Sequence, residues 1–508
     1  MDNPIAPFVV PRLHASRYGD KTSEFCRQKS TCRQKDKSPL RGWFVVWLVA
    51  PAFLLTAAPL HAAQPNQLTP EQIADGWISL FDGETLFGWQ PASDANWKVE
   101  DGAITVSEGE QGFLATNAEF ADYELHVEFK APATTNSGVF LRTPLKPTDP
   151  AKDCYELNIA PADNPFSTGS LVGRITALNG LKAASANSNI GKAVLRVWDD
   201  QWHTFNVVAN GERISITIDG AAYEYLDPTG LTRGHISLQF REGPVGFRNI
   251  RLKPLGLKPM LNGKDLAGWN TDNVENSKFE VVVHQESSGS LPLEGRAGEG
   301  GEARPNHPSL TLPVEGREPE DSDLATSVLH VTNGRGILET DASYGDLVMQ
   351  LDAYVDGDGL NSGVFFRSIP REYANGYESQ IHNGYKDDDP AKPTDFGTGA
   401  IYRRVAARRV VSKDHEWFTK TIVATGPHIA VWVNGYQVTD WTDDRPPHDN
   451  PREGLRTAPG TISLQGHDPT TNLRFRNLKI AELPEKTGHE GTKTQRQNPT
   501  ANHANLRE

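Results

Sequence analysis

Apolar and polar positions alternate with a period of two through much of the chain. Leu125, Val127 and Phe129 alternate with Glu124, His126 and Glu128, and Leu347, Met349 and Leu351 alternate with Val348, Gln350 and Asp352. Side chains on a strand point to opposite faces in turn, so each stretch reads as a β-strand with one face in a core. Residues 214–218 and 428–433 read as further strands. They run into Asp219-Gly220 and Asn434-Gly435, dipeptides that accept the positive φ angles of a tight hairpin. Helical periodicity is nearly absent, and 45 Gly and 35 Pro in 508 residues supply frequent turns. The pattern predicts an all-β chain of β-sandwich or jelly-roll type.

The strand pattern occurs twice. Leu80–Gly83 followed by Gly88-Trp89 returns as Leu261–Gly263 followed by Gly268-Trp269, and NSGVFLR (136–142) returns as NSGVFFR (361–367). Tyr155-Glu156 matches Tyr377-Glu378, Trp202–Gly220 matches Trp417–Gly435, GHISLQ (234–239) matches GTISLQ (460–465), and FRNI (247–250) matches FRNL (475–478). The order is preserved throughout, which predicts two homologous domains at 75–256 and 258–484. A solenoid built from short repeats is excluded. Residues 285–325 interrupt the second copy. They lack any aromatic residue, are rich in Gly, Pro and Glu, and read as a disordered surface insertion. A polar tail occupies 485–508.

Charge and cysteine content bear on compartment and partners. The net charge is −14, which argues against nucleic-acid binding through the phosphate backbone. Residues 1–41 are nonetheless basic, and 42–63 contain no charged side chain and end on small residues. This is the pattern of a signal peptide, so 1–63 reads as a leader, the chain as exported to the periplasm or cell exterior, and no membrane span as remaining after cleavage. The alternative is a single membrane anchor, against which Pro51 and Pro59 count. Cys26 and Cys32 would leave with the leader. Cys154 would remain, without a disulfide partner, as a small core residue.

Candidate chemistry concentrates in the second copy. Glu378, Gln380 and His382 lie two apart on one strand and share a face, the arrangement of a metal half-site, with Glu378 and His382 as ligands of a divalent ion, or of a sugar-binding row. The alternative is a solvated strand face. The first copy offers Glu156, Asn158 and Ala160 there, without the histidine. Asn361, Gly363, Phe365 and Arg367 share one face of the neighbouring strand, and Asn136 and Arg142 occupy the equivalent ends in the first copy. An arginine there could clamp a carboxylate or sugar oxygen, or pair structurally with Glu378 or Asp352. Tyr402, Arg403 and Arg404 follow a Thr-Gly-Ala turn near the expected groove. His467 and Asp468 follow the strand ISLQ, where the first copy has Arg241 and Glu242. Trp432 or Trp441 could stack on a sugar ring. No Walker loop, GxSxG, HExxH or EF-hand pattern occurs, so nucleotide cofactors have no support.

At these residues the chain resembles the secreted 3-keto-disaccharide hydrolase family, also described as 3-keto-glucoside 1,2-lyases and 3-keto-2-hydroxy-glucal hydratases. The likeness rests on LFDG/LNG with its Gly-Trp, the NSGVFxR strand, Tyr-Glu-x-Gln/Asn, TGAIY (398–402) and the closing ISLQGH with FRN. It implies two tandem concanavalin-like jelly rolls and glycoside cleavage on 3-keto sugars by removal of the C2 proton, elimination at C1 and hydration. It also implies Glu378, His382, His467 and Arg367 as catalytic residues: His382 as base or metal ligand, Glu378 as ligand or base, His467 as acid and Arg367 as anchor. Gln380, Tyr402, Asn361, Asp352, Glu156 and Arg142 would contact the carbohydrate. The first copy lacks His382 and His467 equivalents and reads as degenerate. The competing class is a non-catalytic tandem lectin-like protein that binds carbohydrate with avidity.

Overall fold

The structure is a computed structural model and describes residues 64–149, 151–184, 200–227, 230–283 and 327–486. The expected leader, the insertion at 285–325 and all but the first two residues of the tail lie outside the described residues. Each copy is a β-sandwich of one eight-stranded and one five-stranded antiparallel sheet. In the first copy the five-stranded sheet runs, edge to edge, through Trp89–Pro91, Gly112–Thr116, His235–Glu242, Asn136–Thr143 and Tyr155–Ile159. In the second it runs through Trp269–Asn270, Gly336–Tyr344, Gly460–Gly466, Ser362–Ser368 and Tyr377–Ile381. The larger sheets correspond strand for strand as well, so the sequence repeat is a repeat of topology.

Alternation does what the pattern predicts inside each copy. Leu125, Val127 and Phe129 are buried between the sheets of the first copy, and Leu347, Met349 and Leu351 between those of the second. The outward faces differ. Arg213–Ile218 keeps one face in water, whereas His428–Val433, its counterpart, is buried on both. Val348, Val423, Ala430 and Trp432 on the outer face of the second copy's larger sheet join the hydrophobic cluster of the first. Trp432 packs near Phe120, with ring centroids 6.4 Å apart, and its indole N–H donates to the Ser79 carbonyl at 2.8 Å. It is a contact between the copies and not a platform for sugar. Trp441 lies against Tyr377, with ring centroids 6.3 Å apart. Cys154 is fully buried and burial pushes its thiol far up, as suits a core residue.

Polar contacts complete the junction. Arg233 of the first copy meets Asp346 of the second at 2.8 Å, and Asp82 meets Arg408 at 2.8 Å. Arg408 also lies over the rings of Phe87 and Tyr436, at 4.1 and 4.4 Å from their centroids. The loop bearing Tyr402 is therefore braced by a turn of the first copy.

Candidate functional site

A pocket of about 550 Å³ opens on the outward face of the second copy's smaller sheet. Its floor comes from the edge strand Tyr377–Ile381 and from Gly460–Gly466, and its walls from the loops that carry Arg335, Asn361, Tyr373, Tyr402, Arg452 and His467. The direct cross-strand pairs Phe365–Glu378 and Gly363–Gln380 put Glu378 and Gln380 on one face, as the alternation predicts. A Cβ on Gly363 would stand 2.7 Å from Glu378 Oε1, so the glycine leaves the room that the carboxyl occupies. Glu378 is 5% exposed, and Arg452 Nη2 donates to its Oε2 at 2.8 Å. Burial raises the Glu378 carboxyl above the usual range, while Arg452, and to a smaller degree His467, pull it back.

Tyr402, Asn361 and His467 line the same pocket, together with Arg335, Tyr373, Arg403, Arg404, Arg452 and Gln465. The Arg452 guanidinium lies 5.4 Å from the Phe365 ring centroid and 5.9 Å from that of Tyr402. Asp468 Oδ2 takes His467 Nδ1 at 2.8 Å, which leaves Nε2 for a ligand. Gln465 is buried beneath the pocket and its side-chain oxygen has no hydrogen-bond partner among the described residues, so it can accept from a ligand hydroxyl. Glu378, Tyr402, Asn361 and His467 are thus brought together from four separate segments.

Five expected site residues lie elsewhere, and the reasons are local. Arg367 and Arg142 sit at the ends of their strands with φ of +48°, and in the second copy a register shift falls between Phe365 and Ser368. The left-handed turn carries each side chain off the groove face and into the body of the sandwich. Arg367 donates to the carbonyls of Gly345, Gly426 and Arg456 and to Asp346; Arg142 donates to those of Ala121, Gly211 and Leu231 and to Asp122. Both are fully committed structural pins. Asp352 lies on the larger sheet, bonded to Thr419, Arg476 and Asn477. Gln380 shares the Glu378 strand face but is covered by the loop that follows, and His382, half-buried just past the strand end, lies against that loop. Gln380 donates to the side chain and carbonyl of Asp395, and His382 Nδ1 lies 3.3 Å from Thr394 Oγ1.

That covering also bears on a metal. Residues i and i+4 on a strand are about 13 Å apart, so Glu378 and His382 cannot share one ion. Glu378 is already held by a guanidinium, and the described residues contain no group of three or more His, Cys, Asp or Glu side chains able to hold a metal. The expected ligand pair does not fit a divalent ion.

Two residues that shape the site are not singled out by strand alternation, one on a loop and one inside a strand. Arg452 sits on a loop that is long only in the second copy. Four positions separate Asp227 from Leu231, whereas thirteen separate Asp443 from Arg456. Both ends correspond, since Leu231 and Arg456 each donate a backbone N–H to the equivalent tyrosine, Tyr155 or Tyr377. The mismatch in length between copies was the available signal. Lys420 replaces Phe205 inside the second sandwich, and its ammonium donates to the carbonyls of Ser379 and Gln380 at 2.9 Å, underpinning the Glu378 strand. Burial pulls it down to about 7, with the Glu378 charge acting in the opposite sense.

The first copy retains less of this constellation. Glu156 is buried at the Glu378 position without a counterpart to Arg452, and its carboxyl is pushed up to about 7 by burial, with Arg241 opposing. Val172 and Gly173 stand in place of Tyr402 and Arg403.

A family model described as the 3-keto-alpha-glucoside-1,2-lyase-like domain matches residues 76–253 and again 256–481. The 3-keto-disaccharide hydrolase of Bacteroides thetaiotaomicron is 33% identical over 93 residues, which are 16% of this chain and 32% of that protein, so the chain matches about a third of that relative's length. Among solved structures, a candidate glycosyl hydrolase from Parabacteroides distasonis is 29% identical, with 31% of this chain and 87% of that one covered and a TM-score of 0.26. A second from the same organism is 19% identical, with 38% and 100% covered and a TM-score of 0.31. With both halves of the chain matched, the protein belongs to the family of 3-keto-alpha-glucoside-1,2-lyase-like domains and carries that domain twice.

Proposed function

We propose that the second copy cleaves 3-keto-glycosides by eliminating the C1 substituent and then hydrating the product. A ketone at C3 acidifies the neighbouring C2–H. Removing that proton leaves an enolate, and re-forming the C3 carbonyl drives the electron pair into a C1–C2 double bond as the glycosidic oxygen departs. Such a site needs a base at C2, a charge facing the enolate oxygen and a donor for the leaving oxygen. Glu378 supplies the base, buried so that its carboxyl is raised toward the working range. Arg452, at 2.8 Å from that carboxylate, supplies the charge, and His467 the donor. Asn361 and Gln465 orient ring hydroxyls, and Tyr402 offers a face on which a sugar can stack.

The observation that carries this reading is the convergence of Glu378, Arg452, Tyr402 and His467 in one pocket of the copy that has all four. Family membership and the name of the Bacteroides relative support the substrate class. The uncharged stretch 42–63 behind a basic flank supports export. Incubation with 3-keto-maltose or 3-keto-trehalose, with release of the aglycone followed by chromatography, tests the reaction. Glu378→Gln should lower kcat about 1000-fold while Glu156→Gln leaves it within about threefold. An unchanged rate in Glu378→Gln removes the assignment. Binding without product in the wild-type protein would return the chain to the carbohydrate-binding class.

A further inference from the structure

The pocket carries more positive charge than its own carboxylate can match. Arg335, Arg403, Arg404 and Arg452 line it against Glu378, although the chain as a whole has a net charge of −14. Only Arg452 bonds that carboxylate. Arg404 spends its N–H groups on the carbonyls of Arg403 and Arg452, and Arg445 and Arg452 add repulsion to the burial that lowers its pKa. Arg335 and Arg403 form no ion pair among the described residues. Each guanidinium is instead laid near an aromatic ring, Arg335 at 4.2 Å from the Tyr373 centroid and Arg403 at 5.3 Å from that of Tyr402. Stacking of this kind holds the planar fork in place while its donors remain available.

The first copy provides an internal comparison. Gly112 and Gly336 occupy equivalent places beside Gln239 and Gln465, so Gln111 stands where the second copy has Arg335. Gly173 stands for Arg403, and Arg174, equivalent to Arg404, is neutralised by Asp227 at 2.6 Å. The surplus charge thus belongs to the copy with the complete pocket. Elimination from a neutral sugar calls for one cation at the enolate oxygen, which Arg452 provides. Two further guanidiniums at the mouth have no task in that chemistry.

We propose that the pocket selects a sugar bearing an anionic substituent, a carboxylate on the aglycone, received by Arg335 and Arg403. A carboxylate accepts two parallel N–H donors from one guanidinium, so either arginine can hold it bidentately. The proposal rests on the reading that this pocket binds sugar, but binding can be measured apart from turnover. Calorimetric titration of the full chain with maltobionate against maltitol, its neutral open-chain counterpart, isolates the carboxylate, and trehalose 6-phosphate against trehalose isolates a phosphate.

Maltobionate should bind about tenfold more tightly than maltitol at low salt, and the ratio should shrink in 0.5 M NaCl, as expected for partly exposed charges. In Arg335→Gln/Arg403→Gln, both exposed positions, the preference should vanish while the circular dichroism spectrum is retained. Equal affinity for acid and neutral sugar overturns the proposal, and so does a preference that survives in the double variant. A gain confined to trehalose 6-phosphate overturns the carboxylate assignment in favour of a phosphate. Turnover of 3-keto-maltose is scored separately. Turnover without acid preference sinks this proposal alone, and acid preference without turnover sinks the lyase reading alone.

Discussion

Two glutamates at equivalent places show how much the neighbours of a carboxyl decide. Burial raises both and an arginine charge opposes it in each, but only Glu378 has that arginine hydrogen-bonded to its carboxyl. If the Glu378 carboxylate is the base, Arg452→Gln removes the charge that keeps it ionised, and the acid limb of the kcat/KM profile moves to higher pH. Activity should fall about 10- to 100-fold at neutral pH and less at pH 9. An acid limb that stays in place would show that Glu378 is not the group being titrated. Glu156 makes a prediction about stability. Its carboxyl is pushed up to about 7 in the folded chain from an ordinary value of 4.5. Between those two values the folded state holds a proton that the unfolded state has released, so stability declines as pH rises through the window. The loss approaches about 3 kcal/mol by pH 8. Glu156→Gln should flatten that slope, read as urea midpoints at pH 4.5, 6 and 8, and should give the higher midpoint at pH 8.

The loop Asp443–Arg456 is the element that separates a furnished pocket from a bare one. Excision of residues 445–453 would leave Asp443-Asp444-Gly454-Leu455-Arg456, the length found between Asp227 and Leu231. Of the contacts that fix the loop ends, Tyr377 to Asp443 and Arg367 to the Arg456 carbonyl involve none of the excised residues, whereas the ion pair from Arg445 to the buried Asp443 is lost. Activity should drop at least as far as in Arg452→Gln, while Tm falls by about 5–10 °C as Asp443 loses Arg445 and the chain still melts cooperatively. Greater activity in the pruned chain than in Arg452→Gln would mean that the loop delivers nothing the pocket needs. What was legible in the sequence follows the same division. Glu378, Asn361, Tyr402 and His467 belong to segments that recur in both copies, so their strand or turn, and their face, could be read from period and alignment. Arg367 obeys the same alternation on paper, but a register shift and one left-handed residue turn it inward, and neither leaves a mark in the hydrophobic pattern. Arg452 lies in a stretch of Pro, Asp and Arg without period, where position is set by the contacts at its ends. Alternation puts Gln380 on the Glu378 face, but strand periodicity shows neither the loop that covers it nor the end of the strand before His382.

At the scale of the molecule, the two copies are joined by a core and are not beads on a linker. The sequence carried a sign of this in the difference between RISITI (213–218), which alternates, and HIAVWV (428–433), which is apolar on both faces. A strand of the second kind needs cover on both sides, and the first copy supplies the outer one. Trp432 is the centre of that cover: 1% exposed, packed in the cluster of the first copy and bonded to the Ser79 carbonyl. Because the residues that hold the junction belong to the cores of both sandwiches, neither copy can unfold without exposing apolar surface of the other. Scanning calorimetry of the wild-type chain should accordingly give one cooperative transition. Trp432→Ala removes a large side chain from a site that cannot collapse freely and should cost about 3–5 kcal/mol. The transition should then move down in temperature and split, with the copies melting separately. The brace from Asp82 to Arg408 would loosen with it, so substrate affinity at the Tyr402 loop should weaken below the melting range. A wild-type chain that melts in two independent steps, or a Trp432→Ala variant that melts as one step at the wild-type temperature, would mean that the first copy is a passenger and that the second folds and holds its pocket without it.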